Sequence, residues 1–144
     1  MNGAEFRNVD ALGAPYGAYS HLAEVNGVVY SSGIGPFDAA TGSIPDGITA
    51  QAEAVVDNLE RGLADVGLTL RDVVKVTVII EDFAANFPAV NDVYARRFPQ
   101  PYPVRTVLGA ALPGPLVAMD ITAVRPEPGN NGYQHPQSKP EEMR

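Results

Sequence analysis

The alternation of apolar and polar positions divides the chain into six extended segments and two helices. The first residues alternate weakly and break at Gly13, Pro15 and Gly17, which predicts a short edge strand and then a loop. Residues 19–25 read as a strand, Asn26-Gly27 as a two-residue hairpin turn, and 28–32 as the return strand ending at Gly33. The stretch 35–46 holds Pro36, Asp38, Thr41, Gly42, Pro45 and Asp46 and reads as a turn-rich connection. The period then changes. Ala52, Val55, Val56, Leu59, Leu63 and Val66 recur at three- and four-residue steps, with Gln51, Asp57, Glu60 and Arg61 off the stripe. A helix over about 48–66 follows, with Asp46 as its expected N-cap and Gly67 as its C′ residue.

Residues 73–80 form a β-branched run expected as a central strand. A second helix is expected from Asn86 as N-cap to about Phe98, with Pro88 in its first turn and Phe87, Val90, Val93 or Tyr94, and the stem of Arg97 facing inward. Pro99, Pro101 and Pro103 force an extended link. Strands over 104–111 and 116–124 complete the pattern, separated by the turn Leu112-Pro113-Gly114-Pro115. From Pro126 the chain is too poor in apolar residues to pack, so one domain over 1–125 and a disordered tail over 126–144 are expected.

Two amphipathic helices suit packing side by side on one face of a single mixed sheet, an α+β arrangement. The other face then carries an apolar patch that needs cover, and self-association supplies it. Seventeen acids against ten bases give a net charge of −7 with no Lys/Arg cluster, which disfavours nucleic acid as a partner. The sequence has no cysteine, so it offers no disulfide framework and no thiolate nucleophile. Neither a signal core nor a membrane-length apolar run is visible, and the simplest address is the cytoplasm.

No phosphate loop, nucleophile elbow or metal-spaced cluster is present. His135 falls in the expected tail, and His21 reads as a structural histidine rather than a base. The polar groups left to bind something are Arg105, Tyr19, Ser32 and the Gly33 backbone. Arg105 follows a proline-led link and opens a β-branched run. It reads either as a surface arginine at a strand end or as a clamp whose flat fork holds a carboxylate. The second reading makes an acid-bearing small molecule the leading ligand.

Several stretches resemble one known family. Gly17-Ala18-Tyr19-Ser20-His21 and Val29-Tyr30-Ser31-Ser32-Gly33 resemble the "GPYSQ … VYVSGQ" signature of the Rid family, the RidA-type enamine/imine deaminases. Ala50-Gln51-Ala52 with Asp72-Val73-Val74-Lys75-Val76-Thr77-Val78 resembles its "aAQ … DVVKtTV" segment. Residues 87–94 resemble its "FaamNevY", and Pro103-Val104-Arg105-Thr106-Val107 its "PARStV". The resemblance implies a chorismate-mutase-like fold, a six-stranded mixed sheet with two helices on one face, assembled as a homotrimer with ligand clefts between subunits. It implies hydrolysis of 2-aminoacrylate and related imines to 2-keto acids and ammonia, without metal or cofactor. By position, Arg105 is the expected carboxylate clamp, Tyr19 lines the cleft, and Ser32 and Gly33 hydrogen-bond the ligand.

The departures matter. The family's water-positioning glutamate falls on Ala118, and its second acidic position on Asp120, the expected substitute acid. The glutamine after Ser-Gly is Ile34, the glutamine after Tyr-Ser is His21, and Val107 stands where some members carry cysteine. Two readings follow: a deaminase of carboxylate-bearing imines, of the 2-aminoacrylate or an aminomuconate-like kind, or a non-catalytic trimer that binds small carboxylates. RNA cleavage, attributed to some relatives, sits poorly with the −7 charge.

Overall fold

The computed structural model describes residues 3–127. The expected disorder of the tail therefore falls, apart from Pro126 and Glu127, outside the described residues. The order is β1 (Glu5–Arg7), β2 (Leu22–Val25), β3 (Val28–Ser31), α1 (Ile48–Asp65), β4 (Val73–Ile80), α2 (Phe83–Arg97), β5 (Val104–Gly109) and β6 (Val117–Val124). The six strands make one sheet in the order β1-β2-β3-β6-β4-β5, antiparallel except for the parallel β4–β5 pair. This is the α+β, mixed-sheet architecture the pattern predicts. The Asn26-Gly27 hairpin forms with both residues at positive φ, 53° and 80°.

Both helices pack on the same sheet face. Val55, Val56, Leu59 and Leu63 of α1 and Val90, Val93 and Tyr94 of α2 meet Val76, Val78, Ile80, Val117, Met119 and Ile121 in one core. Fully burying a side chain such as Leu59 or Leu63 contributes about 1.5–3 kcal/mol, so this stripe decides where α1 sits. A bulge at Val74 shifts the β4 register, so Val73 and Val76 both point inward while Lys75, Thr77 and Ile79 face away. The two helices are also tied by charge: Arg97 donates to Glu53, Asp57 and Glu60 of α1.

The opposite face is bare among the described residues. Phe6, Tyr30, Val104, Leu108 and Val124, all on that face by register, stay 42–69 % exposed. This is the uncovered apolar patch anticipated from the strand pattern.

Several boundaries differ from expectation. α2 begins at Phe83, after Asp82 in a left-handed conformation, and not at Asn86, whose side chain donates instead to the Glu81 carbonyl. Pro88 therefore lies inside the helix rather than in its first turn. The cap of α1 is Gly47 at φ 88°, with no side-chain cap bond, so Asp46 does not serve. Gln51, expected off the apolar stripe, is buried. It donates to the Pro45 carbonyl and accepts from the Leu116 N–H, and so fixes the entry of α1 in the cap's stead. The strand expected from residue 19 starts at Leu22, and β5 stops at Gly109.

Candidate functional site

The sequence-predicted residues fall into two groups at different places on the sheet. Tyr19, Ser32, Gly33 and Ile34 lie around the C-terminal end of β3. Tyr19 is pinned because its hydroxyl accepts the Tyr16 N–H at 3.1 Å. Ile34 exchanges backbone hydrogen bonds with Met119 of β6 at 2.7 and 3.0 Å. Tyr30 pairs with Thr122, so the return from residue 30 to 34 spends one residue more than the return from 122 to 119. That extra residue is a bulge at Ser31–Gly33, and Asp120 lies across from it. Bulges of this kind re-aim side chains, and here one leaves the Ser32 hydroxyl oxygen buried without a partner among the described residues.

Asp120 and Ala118 share the bare face, opposite Thr77 and Ile79. Both are half-buried. A hollow of about 50 Å³ opens beside Tyr19 and Gly33, lined also by Tyr16, His21, Ile34 and Phe37 among others and not by Ala118 or Asp120. Its wall is shaped by Asn58 of α1, whose amide donates to the Gly35 and Phe37 carbonyls and holds the loop after Ile34 in place. Sequence reasoning missed Asn58. The available signal was a polar residue seven positions after Gln51, on the same face of α1 as Val55, Leu59 and Gly62.

His21 is structural, as read from the sequence. It is 4 % exposed, and its Nδ1 accepts the Val9 N–H at 2.9 Å, so the proton sits on Nε2. Burial holds its pKa below the usual imidazole value.

Arg105 lies on β5, on the helix face with Val76 and not on the bare face with Asp120. Its Nη1 donates to Asn91 Oδ1 at 2.9 Å, and the guanidinium carbon stands 4.7 Å from the Tyr94 ring centroid and 5.9 Å from that of Phe87. The residue is exposed, yet it is not a free surface arginine. Tyr94 is 4 % exposed, stacks on Phe98 at 4.2 Å, and has a hydroxyl with no partner among the described residues. Burial pushes that hydroxyl up to about 12, against the pull of the Arg105 charge. Val107, two residues on, is partly buried against the core.

One chain does not bring the two groups together. The ladder Ile34–Met119–Val78–Val107 crosses from β3 to β5 in three strand steps. At strand spacing that is about 14 Å, and the Arg105 side chain leaves the sheet on the side opposite to Ala118 and Asp120. No group of three or more His, Cys, Asp or Glu placed to hold a metal occurs among the described residues, and none of their helices is long and apolar enough to cross a membrane.

Residues 10–125 match the family model described as Endoribonuclease L-PSP. The chain belongs to the Rid family. It is 36 % identical over 115 residues to the 2-iminobutanoate/2-iminopropanoate deaminase of Capra hircus, covering 78 % of this chain and 83 % of that one. It is 31 % identical over 111 residues to the 3-aminoacrylate deaminase RutC of Acinetobacter baylyi, covering 76 % and 87 % respectively. Among solved structures, RidA from an Antarctic Psychrobacter superposes with a TM-score of 0.79 at 33 % identity, over 83 % of this chain and 98 % of that one. Imine and enamine deamination is therefore an activity of this Rid family, and the fold is that of its solved members.

Proposed function

We propose that this Rid protein hydrolyses imines and enamines that carry a carboxylate next to the C–N carbon, releasing the 2-keto acid and ammonia. The observation that carries the reading is Arg105: a guanidinium at a sheet edge, its carbon 4.7 Å from the Tyr94 ring centroid, bonded through Nη1 to Asn91, with Nε and Nη2 unoccupied among the described residues. A planar 2-imino acid offers the carboxylate that such a fork binds through two parallel hydrogen bonds. In the reaction, water adds to the imine carbon and gives a carbinolamine. Its C–N bond then breaks, ammonia departs with the transferred proton, and a C=O group remains. Enamines enter after tautomerising to the imine. Tyr19, Ser32 and the Gly33 N–H supply polar contacts at the reacting end. In this reading Asp120, across from the Ser31–Gly33 bulge, stands in for the family's glutamate at Ala118 and holds the attacking water.

Because one chain keeps Arg105 about 14 Å of sheet away from Tyr19 and Ser32, the reading includes a homotrimer whose clefts join the two groups from neighbouring subunits. The bare apolar face supports it. The activity is tested by generating 2-iminobutanoate or 2-aminoacrylate in situ with a dehydratase and following keto-acid release. The native protein is expected to accelerate release, and Arg105→Ala to fall to the uncatalysed rate. If both proteins match the uncatalysed rate across a panel of imines, the deaminase reading is wrong. Ala118 favours a second reading, a trimer that binds small carboxylates without turning them over.

A further inference from the structure

We propose that Asn91 and Tyr94 are positioning residues that orient the Arg105 guanidinium so that a carboxylate meets its Nε/Nη2 edge. The proposal rests on the reading of Arg105 as the carboxylate anchor. Phe87, Asn91 and Tyr94 lie at four- and three-residue steps on α2, so one face of the helix presents a ring, an amide and a ring in a row. Tyr94 is the floor: buried, stacked on Phe98, and 4.7 Å beneath the guanidinium carbon. Its π-face attracts the cation and holds it over the ring. Asn91 is the stop that fixes its rotation, because its Oδ1 takes one N–H of Nη1 at 2.9 Å. Phe87 closes the side at 5.9 Å.

A guanidinium has two edges able to donate a parallel pair to a carboxylate, the Nη1/Nη2 end and the Nε/Nη2 side. Asn91 engages Nη1. Nε and Nη2 have no partner among the described residues, and their two N–H bonds leave the same edge side by side. The side edge is therefore the one kept ready. An arginine without floor or stop samples many rotamers and must be ordered at each binding event. Here the ordering precedes the ligand. The brace is itself anchored, since α2 is tied to α1 through Arg97 and through the Arg96–Glu53 pair at 2.9 Å.

The test is a binding cycle with 2-oxobutanoate as the probe, titrated by NMR and accompanied by KM and kcat for the imine reaction. Asn91→Leu is expected to weaken 2-oxobutanoate roughly tenfold to a hundredfold, the size of a lost hydrogen bond to a charged group, and to raise KM far more than it lowers kcat. Tyr94→Leu is expected to weaken the probe, and Tyr94→Phe at the same site to restore it, because the ring and not the hydroxyl faces the cation. In an Arg105→Ala background, Asn91→Leu is expected to add nothing. Equal losses with and without Arg105, or an unchanged affinity in folded Asn91→Leu, would overturn the positioning role. Unchanged affinity in Arg105→Ala alone would overturn the anchor reading beneath it, so the two failures are told apart.

Discussion

Restoring a carboxylate at position 118 is the most informative single change. Ala118 sits half-buried on the bare face, opposite Ile79 and one same-face step from Asp120. In Ala118→Glu the new carboxylate reaches beyond the strand into space the methyl group does not fill. A well-placed base or water-holder contributes about 10²–10⁴ in rate, or about 3–5 kcal/mol of barrier. The opposing term is repulsion by Asp120. Same-face neighbours on a strand stand about 6.7 Å apart, and two unit charges at that distance repel by roughly 2.5 kcal/mol at an effective dielectric of 20. That figure is a ceiling, because both positions retain some solvent access and salt screens them. The gain thus exceeds the cost, and one carboxyl of the pair titrates upward, so the added activity should grow as pH rises past that titration. The assay is keto-acid release from an imine generated in situ, run against pH at low and moderate salt. If a folded Ala118→Glu that still binds 2-oxobutanoate shows no gain, position 118 is not where the water is held. If the native protein is already as fast, the binding-only reading fails.

Two further outcomes follow from the packing. Arg97→Met removes three ion pairs to partners that are 31–51 % exposed, so each is worth only about 0.2–1 kcal/mol; a total loss of about 0.6–3 kcal/mol is expected in denaturant unfolding, and a shift below about 0.5 kcal/mol would remove Arg97 as a tie between the helices. His21 titrates lower in the folded chain than the usual value of about 6.5, so between those values the unfolded chain binds the extra proton and stability drops as pH falls below about 6.5; thermal unfolding from pH 7.5 to 5 should show this slope, and His21→Gln should lose it.

The element order, the sheet class, the hairpin and the inward stripe of α1 were legible because each rests on a period that one segment carries by itself. The start of α2 was not. Asn86 and Pro88 together imitate a helix entry, but the helix gains an earlier turn because Phe83 stacks on Phe87 at 5.0 Å and packs close over Gly109, where an added Cβ would stand only 3.1 Å from the Phe83 Cβ. That contact joins residues far apart in sequence, and no local pattern announces it. Gln51 failed for the same reason: its partners, Pro45 and Leu116, come from two loops. Of the candidate site, Arg105, Tyr19 and Ser32 were visible as residue types in their settings. The floor and stop beneath Arg105 were not: Asn91 and Tyr94 fall in the stretch that resembles the family's "FaamNevY", but nothing in it ties them to Arg105 until the sheet places β5 beside α2.

The distance between the two halves of the proposed site has a genetic consequence. A chain lacking the Arg105 clamp keeps an intact Tyr19 edge, and a chain damaged at the Tyr19 edge keeps an intact clamp. In an assembly whose clefts draw one edge from each of two neighbours, a mixture of two such inactive chains rebuilds some wild-type clefts. Two null alleles of this one gene would then complement each other in a single cell, whereas two alleles damaged at the same edge would not.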